Sequence, residues 1–222
     1  MDTTSLQIGA LWQFIAAAVA LPILAFAIKG VPLSVLRAEP RLQHLIYGSI
    51  VLLALTWSFR AGLSQGLSIH FLGMTALTLM FGWDLALLIG AIVTALLTLF
   101  GVETWQMISL NLITQVIIPA SLCLFTLRQV EKRMPTNFFI YLFLVAFLGG
   151  GVTVASAGLS LALVLGFAGA LQWNTIYVEY ITYLPLIMLP EGLINGIIMT
   201  SMMVFHPDWI RTFDARRYID EQ

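Results

Sequence analysis

Residues 8–28 read IGALWQFIAAAVALPILAFAI, with no charged residue from end to end. At 1.5 Å per residue, about 20 such residues carry a helix through the hydrocarbon core of a bilayer. The run does not alternate, as the strand of a membrane barrel would. A membrane-crossing helix is what remains. Outward from this stretch the same texture repeats along the chain. The 222 residues are 60% hydrophobic and 9% charged, where an ordinary soluble domain carries roughly 25% charge. The charges gather in residues 29–41, 128–133 and 209–222, with apolar runs between them.

Seven spans follow, at roughly 8–28, 43–60, 66–82, 84–100, 105–127, 138–168 and 179–205. The fold expected is an all-α integral membrane bundle: one transmembrane domain over 1–205, then a short cytoplasmic tail over 206–222. Spans three and four are separated only by Gly82-Trp83-Asp84, and read either as a tight hairpin or as one long bent helix. Asp84 reads as the N-terminal cap of span four. Met1–Gly9 contains Asp2 and no Lys or Arg, unlike a secretory signal.

Short loops rich in Lys and Arg stay in the cytoplasm. Lys29, Arg37 and Arg41 follow span one, Arg128, Lys132 and Arg133 follow span five, and Arg211, Arg216 and Arg217 follow span seven. An external N-terminus and a cytoplasmic C-terminus satisfy all three clusters. Arg60, at the outer end of span two, dissents. Trp105, Trp173, Tyr177, Tyr180 and Tyr183 are placed as an outer interfacial belt, with Trp83 and Trp209 at the inner edge.

A net charge of −1 gives no electrostatic reason to bind nucleic acid. The lone Cys123 can form no intrachain disulfide. No G-x-x-x-x-G-K-[ST], H-E-x-x-H, C-x-x-C or G-x-S-x-G occurs, so neither intrinsic ATP hydrolysis nor enzyme chemistry is indicated.

Polar groups inside spans are costly and point to function. His70, in Gly66-Leu-Ser-Ile-His70-Phe-Leu-Gly73, sits at the outer start of span three, as a metal ligand or a structural histidine. Glu191 and Asn195, in Pro190-Glu191-Gly192-Leu-Ile-Asn195-Gly196, share one face of span seven. Asn111 and Gln115 share one face of span five, beside Thr114. Glu191 reads either as a proton or cation site, or as a tether bonded to Asn111 or Gln115. Gly192 and Gly196, like Ala16 and Ala20, have the small-xxx-small spacing of close helix contacts.

Three of these stretches resemble the CbiM/NikM-type subunits, the membrane substrate-binding components of energy-coupling-factor (ECF) ABC transporters for cobalt and nickel. They are 66–73 with the following Phe81-Gly82-Trp83, Ser109-Leu-Asn111-Leu, and 190–196. The resemblance implies capture of a divalent transition metal as substrate, with no intrinsic cofactor, in the bacterial cytoplasmic membrane. It implies as partners an ECF transmembrane coupling subunit and cytoplasmic ATPases. It further implies His70, the Met1 amine and Asp2 as ligands, with Asn111, Gln115, Glu191 and Asn195 supporting them. The family's second residue is His, and here it is Asp2. An oxygen donor at that position still suits such ions. An organic substrate on the same architecture, or a structural membrane protein without a ligand, are the alternatives.

Overall fold

The structure is a computed structural model that describes residues 8–31, 33–64, 67–214 and 218. Its elements are α1 (Ala10–Gly30), α2 (Leu33–Ala38), α3 (Pro40–Ser58), a hairpin of β1 (Ala61–Ser64) and β2 (Leu67–Ile69), and α4 (Met74–Leu99). They continue with α5 (Trp105–Arg133), α6 (Phe138–Phe167), α7 (Trp173–Glu179) and α8 (Leu184–Phe205). Five helical stretches are long and apolar enough to cross a membrane: α1, α4, α5, α6 and the run Trp173–Phe205. α1 leaves Leu11, Phe14, Val19, Leu21 and Phe26 exposed, a surface suited to lipid and not to water. Its Ala16 and Ala20 face inward and are buried.

Ion pairs mark the two ends of the bundle. Arg60, just past α3, binds Glu103, just past α4, at 2.6 Å. At the other end Arg41 pairs with Asp208 at 3.5 Å, and Asp84 with Arg211 at 2.7 Å. α3 therefore runs from the Arg41 end to the Arg60 end. Residue 72 is level with Trp57, whose indole N–H donates to the Leu72 carbonyl at 3.0 Å. The chain then descends to Phe81, whose carbonyl accepts from Arg211 at 3.1 Å, and climbs again from Asp84 to Glu103.

The reversal lies at Gly82, with φ 82° and ψ 167°, a backbone region almost confined to glycine. A Cβ there would meet the Arg211 guanidinium at 2.9 Å. Spans three and four are thus a hairpin of a short helix, 74–81, and a long one, 83–99. The carbonyls that end the short helix are capped by the chain after α8. Leu79 O accepts from Thr212 N and Oγ1, and Met80 O from Arg211 N.

Several sequence expectations need correction. Residues 67–73 are not the first turns of a span: 67–69 form a strand, and His70 lies in the irregular chain between it and the helix. Gly73, at φ 66°, makes the left-handed turn from that chain into Met74. The Asp84 carboxylate goes to Arg211 rather than to a helix cap. Tyr180 is fully buried with Leu161, Leu165 and Ile176, away from any belt, while Trp105, Trp173, Tyr177 and Tyr183 are exposed. The segment after α8 packs inward, with Ile210, Phe213 and Tyr218 against Cys123, Tyr141 and Met203.

Candidate metal centre

The polar residues singled out from the sequence gather where the 67–73 segment crosses α5 and α8. This segment has few ladder bonds of its own, so its backbone polar groups need side-chain partners. They find them. The Phe71 carbonyl, which can only accept, takes the N–H of His70 Nδ1 at 3.0 Å. Trp57 binds the Leu72 carbonyl, as above. Leu72 N donates to Glu191 Oε2 at 2.8 Å and Gly73 N to Glu191 Oε1 at 2.7 Å. Three residues on, Ala76 N donates to Asn195 Oδ1 at 2.8 Å.

Glu191 and Asn195 are buried one turn apart on α8, and Asn195 Nδ2 donates to Glu191 Oε1 at 2.8 Å. The carboxylate therefore meets three N–H donors, which suits a group that only accepts. Together the pair caps the start of the 74–81 helix from another helix, with a negative charge at its positive end. The carboxylate does not bind Asn111 or Gln115, the partners considered from sequence. α8 packs closely on α6 because Gly192 has no side chain: a Cβ there would sit 2.6 Å from the Phe147 carbonyl. Facing it, a Cβ on Gly150 would meet Asn195 and Gly192 at 3.2 Å. Gly196 also faces Phe147, with more room, at 3.6 Å.

Asn111 and Gln115 lie in α5, where residues 112–117 form a wide π-helical turn. Pro119 follows and has no N–H for the Gln115 carbonyl, so the regular α ladder is interrupted. Such turns recur at functional sites. The Gln115 side chain lies at the same cavity as the His70 imidazole, a space of about 10 Å³ closed by Ile69, Leu72, Val154, Ala157, Leu184 and Ile187, room for about one water-sized sphere.

Asn111 Nδ2 and Oδ1 and Gln115 Nε2 are buried without a hydrogen-bond partner. A buried carboxamide left unpaired costs free energy; that of Gln115 lines the cavity, where it suits a polar occupant. With Nδ1–H committed to Phe71, the imidazole lone pair is on Nε2, the arrangement of a metal-ligating histidine whose other nitrogen donates to a backbone carbonyl. The ring also leans on Trp57, centroids 5.5 Å apart.

Met1 and Asp2, the other ligands implied by resemblance, lie outside the described residues. Among the described residues no group of three or more His, Cys, Asp or Glu is arranged to hold a metal ion. His70 is the single such donor in the cavity wall. His206 stacks on Trp209 with centroids 3.9 Å apart, at the opposite end of the bundle. The feature that sequence reasoning missed here is Trp57, fully buried; its place in span two carried no mark of a role beside His70.

The sequence matches the CbiM family, described as the cobalt uptake substrate-specific transmembrane region, over residues 7–209. No curated relative matches it. Two solved structures share the fold. A crystal structure of a truncated transition metal transporter is similar at a TM-score of 0.77 and 17% identity, covering 90% of this chain and 96% of that one. Another transition metal transporter gives 0.74 at 16% identity, covering 89% and 90%.

Proposed function

Because the chain belongs to the CbiM family of cobalt-uptake transmembrane regions, we propose that it captures a divalent transition metal, cobalt or nickel, as the substrate-specific component of an uptake system. The observation that carries this is the cavity wall: His70 with its Nε2 lone pair beside Gln115, around a space of about 10 Å³. A vitamin-sized ligand needs a pocket of about 300–1,000 Å³, so this space suits a single ion. Nitrogen and oxygen donors suit cobalt and nickel. His70 supplies the imidazole, with the Met1 amine and the Asp2 carboxylate as further ligands. Asn111 and Gln115 orient the ion or a water on it.

Seven crossings with the N-terminus outside place this cavity toward the external face, in a multi-pass protein of the bacterial cytoplasmic membrane. The basic clusters support that orientation. So does Arg60, whose charge at the outer end is matched by Glu103. Residues 1–205 form the transmembrane domain and 206–222 its cytoplasmic tail. The sequence carries no nucleotide-binding loop, so energy comes from partners, an ECF-type coupling subunit and cytoplasmic ATPases.

The test is co-expression with and without such partners in cells lacking their own uptake system, reading cell-associated cobalt and nickel. Accumulation that needs both the chain and His70 supports capture. Accumulation unchanged by His70→Ala contradicts it.

A further inference from the structure

The buried carboxylate on α8 does more than tie helices together. It makes two backbone contacts, to Leu72 N and Gly73 N, and both fall within three residues of His70. Asn195 extends the grip to Ala76 N and back to the carboxylate. The backbone carbonyl of Glu191 also accepts from Asn195 Nδ2 at 2.8 Å. Trp57 holds the carbonyl of the Leu72–Gly73 peptide, whose N–H is bound by Glu191, so that peptide is clamped on both sides.

His70 reaches its cavity from irregular chain, which has no helical ladder to fix it. Strand pairing of Ile69 with Ala61 holds it on the N-terminal side, and on the C-terminal side its position depends on these clamps. The far end of the 74–81 helix is held too, by Arg211 and Thr212, so the helix cannot slide to make up for a lost clamp.

We propose that Glu191, supported by Asn195, is a positioning residue for metal capture: its carboxylate fixes the His70 segment so that the imidazole meets the ion. This rests on metal capture at His70, and it adds that affinity is set by a residue that does not touch the metal. Outer groups that orient metal ligands typically govern about 10–100-fold in affinity.

The test uses the full-length protein with a native N-terminus in lipid nanodiscs. Wild type, His70→Ala, Glu191→Gln, Asn195→Ala and Met199→Ala are titrated with nickel and cobalt chlorides by calorimetry, with thermal melting of each. Amide hydrogen exchange is read over residues 67–76. Met199 is buried on α8 one turn beyond Asn195, in the apolar cluster that includes Ala76, and it makes none of the clamp's hydrogen bonds, so its truncation lowers stability without removing one.

Glu191→Gln keeps the shape but sets an NH2 group against a backbone N–H. We expect at least tenfold weaker metal binding, an altered visible spectrum of the cobalt-loaded protein, and faster exchange at 67–76. Met199→Ala is expected to melt earlier with its affinity within about twofold of wild type. Asn195→Ala, which removes the Ala76 contact and the two bonds from Nδ2 to the Glu191 carboxylate and carbonyl, is expected in between, and decides the matter if Glu191→Gln fails to fold. Metal affinity unchanged in the Glu191 and Asn195 variants, or lowered equally by Met199→Ala, overturns positioning while leaving capture at His70 intact. No metal binding by wild type overturns capture itself, and positioning with it.

Discussion

Glu103→Gln is the most informative single change outside the cavity. Arg60 and Glu103 meet at 2.6 Å, with side chains only 9% and 2% exposed. Truncating one partner of a buried pair strands the other charge and costs about 3–5 kcal/mol. For a chain of this length each kcal/mol is about 2–4 °C in Tm, so roughly 6–20 °C is at stake. A solvated pair is worth about 0.2–1 kcal/mol, a shift of under about 4 °C. The two cases are well separated. The assay is thermal unfolding in nanodiscs, followed by intrinsic tryptophan fluorescence. Arg60→Met with Glu103→Leu removes both charges and is expected to recover most of the loss, because apolar replacements of buried pairs are neutral or stabilising. A single-variant shift below about 2 °C, or a double variant as damaged as the single, refutes the claim that this pair pins the ends of α3 and α4.

Gly192→Ala places a methyl 2.6 Å from the Phe147 carbonyl, and overpacking of this kind costs about 1–3 kcal/mol; thermal melting checks it, with Gly9→Ala, which meets nothing nearby, as the neutral control. Gly82→Ala forces a side chain into a glycine region and against Arg211, at about 1–3 kcal/mol, and is expected to raise exchange at both 74–81 and 207–214. Trp57→Phe removes the N–H donor to Leu72, leaving that buried carbonyl short of a partner at about 1–3 kcal/mol. It is expected to weaken metal binding along with stability, read by calorimetry and melting on the same samples.

The apolar runs made the helices legible in the sequence, because length and lack of charge are enough to call a span. Reading failed where distant groups decide local structure. Residues 67–73 are as apolar as a helix, yet 67–69 pair with 61–64, and Leu72 and Gly73 bond to Glu191 and Trp57, over a hundred residues and fifteen residues away in sequence. No local pattern announces such partners. The reversal at Gly82 was open between hairpin and bend in the sequence; the Gly82 dihedrals and the ion pairs at the two ends decide for the hairpin. Arg60 dissents from the orientation that the basic clusters suggest, and nothing in the sequence marks its pairing with Glu103. Asn111 with Gln115, and Glu191 with Asn195, were visible as helix-face pairs from spacing alone. Which groups each pair would bind was not, since helix spacing fixes the face and packing fixes what it meets. Tyr180 shows the same limit: near a span edge, an aromatic can face lipid or the core.

The most direct test of metal capture is titration of the untagged protein with nickel, cobalt, copper and zinc, beside His70→Ala. We predict tight binding of cobalt or nickel that the variant loses, after which Asp2 is the next residue to change. Binding of equal strength in wild type and variant, or none in wild type, contradicts an ion site built on His70.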